Sequence, residues 1–89
     1  MKTYRFIVSG KVQGVWYRKF TKETADSMGI SGYVRNLKNG NVEVVATMKK
    51  EQFNDFLSAL MKGPPLAIVN NIDIEELNEK YDGEFEIIR

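Results

Sequence analysis

Tyr4, Phe6 and Val8 fall at every second position, with Arg5, Ile7 and Ser9 between them. That period of two predicts a strand with one face turned to a core. A glycine-containing stretch follows, and the period then changes. Tyr17, Thr21, Ala25 and Met28 recur at helical spacing, with Phe20 and Thr24 beside them, and Gly29 is a natural left-handed stop. Ile30 to Leu37 predicts a second strand and Val42 to Thr47 a third. Between them Lys38-Asn39-Gly40-Asn41 holds Asn-Gly, a strong hairpin signal. Phe53, Phe56, Leu57 and Leu60 sit at i, i+3, i+4 and i+7, an amphipathic helix that Gly63-Pro64-Pro65 must end. Ile68 to Glu76 alternates around Ile72 and Ile74, a fourth strand. After the turn Tyr81-Asp82-Gly83, Phe85-Glu86-Ile87 reads as a short further strand.

The order β-α-β-β-α-β predicts an α+β, ferredoxin-like sandwich. It has an antiparallel sheet with two helices on one face, and a short fifth strand is left open at the C-terminal end. With no repeat or linker, residues 1–89 read as a single domain. This fold carries many functions, so function has to come from a site.

Composition narrows the chemistry. There is no cysteine and no histidine among the 89 residues. Disulfides, zinc–thiolate sites, cysteine nucleophiles, histidine bases and phosphohistidine intermediates are therefore excluded. The acids before residue 51 are Glu23, Asp26 and Glu43, too scattered to suggest a two-metal cluster. No apolar run approaches the roughly 20 residues of a membrane span, and the first residues lack a signal-peptide core, so a cytoplasmic location is expected. Net charge is +1, yet residues 1–50 hold 10 Lys and Arg against 3 acids, and residues 51–89 hold 3 against 9. The basic half could favour an anionic partner, or the halves could interleave and neutralise each other.

The stretch Gly10-Lys11-Val12-Gln13-Gly14-Val15-Trp16-Tyr17-Arg18 lies between the first strand and the first helix. A helix N-terminus offers free N–H groups and a positive dipole, and glycines let the backbone curl them together. Arg18 in the first turn opposes that dipole, which makes sense if an anion sits between. The alternative is a tight turn with a solvated arginine. In the second strand Gly32, Val34 and Asn36 share a face. Asn36, near its end, could orient a water and a substrate oxygen, or merely bond the following turn.

Taken together, the two stretches closely resemble the acylphosphatase family. Its patterns are G-x-V-Q-G-V-x-[FY]-R and G-x-V-x-N-x-x-x-G-x-V-E. The second stands here as Gly32-Tyr33-Val34-Arg35-Asn36-Leu37-Lys38-Asn39-Gly40-Asn41-Val42-Glu43. The likeness extends to Gly63-Pro64-Pro65 and the Phe85-Glu86-Ile87 ending. Lys11 stands where arginine is common, Tyr17 where phenylalanine is, and Trp16 at a variable position.

The resemblance implies hydrolysis of acyl phosphates to a carboxylate and inorganic phosphate, with no metal, cofactor or phosphoenzyme. It implies that Arg18 and the backbone from Gln13 through Gly14, Val15, Trp16 and Tyr17 to Arg18 bind the phosphate. It implies that Asn36 orients the water. Inorganic phosphate and sulfate are expected as competing anions. No nucleic-acid or membrane partner is expected, and the protein should be a monomer. A non-catalytic anion-binding or regulatory module of the same fold is the alternative. An RNA-binding sheet is disfavoured because the third strand carries no aromatic residue.

Overall fold

The computed structural model describes all residues, Met1–Arg89. The elements are β1 (Lys2–Lys11), α1 (Tyr17–Met28), β2 (Ser31–Asn36), β3 (Val42–Met48), α2 (Phe53–Lys62), β4 (Ile68–Leu77) and β5 (Glu86–Ile88). The sheet order is β4-β1-β3-β2-β5. β1 is antiparallel to both β3 and β4, and β2 is antiparallel to β3. β5 runs parallel to β2, so the five-stranded sheet is mixed rather than wholly antiparallel. A parallel neighbour is possible there because α1 precedes β2 while a separate long excursion through β4 delivers β5 to the free edge.

One cluster of buried residues joins the sheet to both helices. Phe6, Val8, Val34, Val44 and Ala46 from the sheet pack with Tyr17 and Ala25 of α1 and with Phe56 and Leu60 of α2. These are the positions the two periodicities selected, which is why both helices lie on one face. Burying a side chain such as Phe56 or Leu60 stabilises by about 1.5–3 kcal/mol before entropy is counted. β3 is central and buried along its whole length, so even its opposite face is covered. There Glu43 accepts from Arg5 Nε at 3.0 Å and from Arg35 Nε at 2.6 Å. Tyr33, on that face, is capped edge-on by Tyr81 at 5.7 Å.

The first strand is longer than the alternation suggests. β1 continues through Gly10 to Lys11, with a register shift against β4 between Ser9 and Gly10. A Cβ on Gly10 would lie 2.1 Å from the Ile68 carbonyl oxygen. That glycine serves the close approach of β4, not the loop. The two charge halves interleave: Lys2 pairs with Glu76, Arg5 with Glu75 and Lys22 with Glu84.

Candidate active site

The β1–α1 connection is anchored by its own alternation. Val12 and Val15 are buried at 1% and 4% exposure, so the backbone between and beyond them is pressed outward. Gly14 has φ 75° and Trp16 φ 70°, and no other non-glycine residue in the chain has positive φ. Val15 and Tyr17, between and after them, therefore have the opposite sign. Such alternation turns successive N–H groups toward one point. None of the backbone hydrogen bonds outside the regular elements uses an N–H of residues 13–19 as donor. The N–H groups that donate to side-chain oxygens belong to Asn41, Lys49 and Tyr81. The loop amides before α1 are thus without a protein acceptor.

Two side chains brace this loop from behind. Gln13 Nε2 donates to the carbonyls of Leu37 and Asn41, both at 2.8 Å, and so ties the loop to the β2–β3 turn. Tyr17 is buried, and its hydroxyl donates to the Leu60 carbonyl at 2.7 Å. That carbonyl is one of the last four of α2, which have no helical donor. Burial pushes the Tyr17 hydroxyl pKa well above the usual tyrosine value.

Arg18 opens α1 half-buried, with no acidic residue in that first turn. It enters none of the ion pairs of the fold. Arg5 and Arg35 differ: hydrogen bonds to Glu75 and Glu43 respectively hold those guanidinium groups more firmly charged. The arginines of the open face are neutralised, and the arginine beside the loop is not. Against the dipole of α1 it costs roughly 0.3–1 kcal/mol.

Facing it, Asn36 ends β2 on the same side as buried Val34 and is exposed. Its carboxamide makes no bond to the following turn. Leu37 N–H to Asn41 O, Gly40 N–H to Leu37 O and Asn41 N–H to Asn39 Oδ1 build that turn instead. A cleft of about 420 Å³ brings Gly14, Trp16, Tyr17, Arg18 and Asn36 together with Val12, Lys19, Ile87 and Arg89. It contains Arg18, Lys19 and Arg89 and no acidic side chain. No group of three or more His, Cys, Asp or Glu side chains gathers anywhere to ligate a metal.

The sequence model of the acylphosphatase family matches residues 4–87. The chain belongs to the acylphosphatase family. It is 42% identical over 85 residues to an acylphosphatase of Methylococcus capsulatus, covering 96% of this chain and 90% of that one. It is 43% identical over 81 residues to one from Archaeoglobus fulgidus, covering 90% of each. The crystal structure of acylphosphatase from Bacillus subtilis superposes with a TM-score of 0.94 at 33% identity, covering 100% of both chains.

Within this acylphosphatase domain the residues singled out from the sequence separate into two groups. Arg18, Asn36, Gly14 and Trp16 line the cleft, and Tyr17 does so at its edge while its ring lies in the core. Gln13 and Val15 do not line it: one clamps the hairpin and the other is buried. Lys19, Ile87 and Arg89 were not singled out. β5 pairs Val34 with Ile87 and Arg35 with Ile88, so the next step of the register sets Arg89 opposite Asn36. Only the parallel pairing reveals that, although an arginine two residues beyond an apolar Ile87 was a visible sign of a shared face.

Proposed function

We propose that this chain hydrolyses the carboxyl–phosphate bond of acyl phosphates by electrostatics and positioning, without a metal ion. The observation that carries the reading is the pairing of acceptor-free loop amides and an unpaired Arg18 with an unbonded Asn36 across a cleft free of acidic side chains. Membership of the acylphosphatase family supports the reaction class.

The phosphoryl oxygens would take the N–H groups of the loop and the fork of Arg18. The Asn36 carboxamide accepts from a water and donates to a phosphoryl oxygen, setting that water in line with the bond to be broken. The water oxygen bonds to phosphorus, and the bond from phosphorus to the bridging oxygen breaks. The pair of electrons leaves on the carboxylate. Because no acidic side chain or histidine lines the cleft, the water's proton passes to an oxygen of the substrate's own phosphate. The products are a carboxylate and inorganic phosphate. Preorganised donors act where charge builds on the phosphoryl group, and removing one such donor costs about 2.7–4 kcal/mol. A mixed anhydride suits this scheme because its leaving group needs no acid.

The test is phosphate release from acetyl phosphate by purified protein, with inorganic phosphate and sulfate as competitors. Turnover inhibited competitively by both anions supports the reading. Binding of phosphate without turnover would instead identify a non-catalytic anion-binding module.

A further inference from the structure

We propose that the indole of Trp16 is the platform for the acyl group of the substrate, and that flat, apolar acyl groups are the preferred class. This rests on the reading of the adjoining cleft as an acyl-phosphate site. Trp16 is 73% exposed, beside a loop whose two valines are buried. It also holds φ 70°, a conformation costly for a bulky side chain and readily supplied by glycine or asparagine. Strain and exposure at one tryptophan are unexplained by packing, since its neighbours Val15 and Tyr17 do the packing.

Its position explains them. Trp16 and Lys19 line the cleft that contains Arg18 and Asn36, and they also line a second one of about 360 Å³. That second cleft is completed by Phe20, Pro64, Pro65 and Glu23, with no residue of β2 or β5. The indole is the shared wall, and Lys19 Nζ stands over it at 5.9 Å from the ring centroid. An in-line attack by a water at Asn36 expels the carboxylate on the far side of the phosphorus. The route away from Asn36 runs across the indole to the shelf of Phe20 and the two prolines. Flat apolar groups stack well on such surfaces. Lys19 and Glu23 offset each other's charge in that lining, and the remaining surface is aromatic and proline, so the class is neutral and apolar.

The experiment compares kcat/KM for benzoyl phosphate and acetyl phosphate in the wild type, Trp16→Gly and Trp16→Phe. Glycine keeps the left-handed backbone and hence the direction of the loop amides. The benzoyl-to-acetyl ratio should fall about tenfold in Trp16→Gly, the scale of one aromatic contact, and recover most of the way in Trp16→Phe. The chain has a single tryptophan, so its emission reports this ring alone. Saturating benzoylphosphonate should shift that emission to the blue, and saturating inorganic phosphate should not. An unchanged ratio in Trp16→Gly, or the same spectral shift with phosphate as with benzoylphosphonate, overturns the platform while leaving hydrolysis intact. Failure of the wild type to hydrolyse either acyl phosphate refutes the reading of the cleft and the platform with it.

Discussion

Replacing Gln13 separates a brace from a ligand-binding group, because its side chain points away from the cleft. Its Nε2 makes both hydrogen bonds that fasten the loop to the β2–β3 turn, at 2.8 Å each. Each contributes roughly 0.5–1.5 kcal/mol net, so Gln13→Ala should cost about 1–3 kcal/mol. The site is half-buried, and water can reach the freed carbonyls, which favours the lower part of that range. For a domain of this size about 1 kcal/mol moves Tm by roughly 4–8 °C, so a drop of about 5–15 °C is expected. The same loss lets the turn that follows Asn36 drift, and small misplacements of a positioned group lower kcat by about tenfold or more. Gln13→Glu is the sharper variant. It keeps the size and removes both donors, setting carboxylate oxygens against two carbonyl oxygens. Its stability should fall at least as far as that of Gln13→Ala. Thermal unfolding followed by far-UV circular dichroism, with kcat on the same samples, reads both effects. A Gln13→Glu protein with wild-type Tm and kcat would refute the clamp.

Tyr17→Phe should cost about 1–3 kcal/mol in urea unfolding, since the Leu60 carbonyl at the end of α2 loses its donor. Burial raises the Tyr17 hydroxyl above its ordinary 10.0, so its stabilisation is full below that pH and is lost as pH climbs toward the folded-state value. Tyr17→Phe should therefore flatten the fall in stability above about pH 10, and an identical alkaline slope in both proteins would count against this. Gly14→Ala should cost only the left-handed penalty, about 1–2 kcal/mol, because nothing lies within 4 Å of the added methyl. Gly32→Ala should cost more, above about 3 kcal/mol, because its Cβ would sit 1.9 Å from the Val45 carbonyl oxygen and force β2 off β3. Equal unfolding midpoints for the two variants would contradict this. Exhaustive chelation should leave acetyl phosphate turnover unchanged, and activity that vanished with EDTA and returned with added metal would refute the metal-free scheme.

Most of the framework could be read along the chain because burial follows period here. Tyr17, Thr21 and Ala25 are the buried face of α1, and Phe56 and Leu60 that of α2. The end of β1 was harder, since Gly10 reads as a loop residue until the β4 backbone beside it is known. The turn after β2 was placed correctly, but positive φ is confined to Gly40, and Leu37 and Asn41 close a longer loop than a two-residue Asn-Gly turn. Within the loop, spacing could not say which side chains turn inward. Val15, Tyr17 and Gln13 serve packing and bracing because the anchors to α2 and to the hairpin are more than twenty residues away in sequence. Arg89 escaped notice for the same reason, since its position beside Asn36 depends on the parallel pairing of β5 with β2.

In the proposed division of labour, loop amides and Arg18 hold the phosphate while Asn36 holds the water. This division is tested most directly by measuring kcat and the inhibition constant of inorganic phosphate together in Asn36→Ala, beside Arg18→Gln. Asn36 is exposed and forms no hydrogen bond that the turn needs, so its loss should leave the fold intact. Asn36→Ala should lose about 10²–10³ in kcat while phosphate inhibits as in the wild type, to within about twofold. Arg18→Gln should lose both turnover and phosphate affinity. A folded Asn36→Ala protein with normal turnover, or one whose phosphate affinity falls as steeply as in Arg18→Gln, would contradict it.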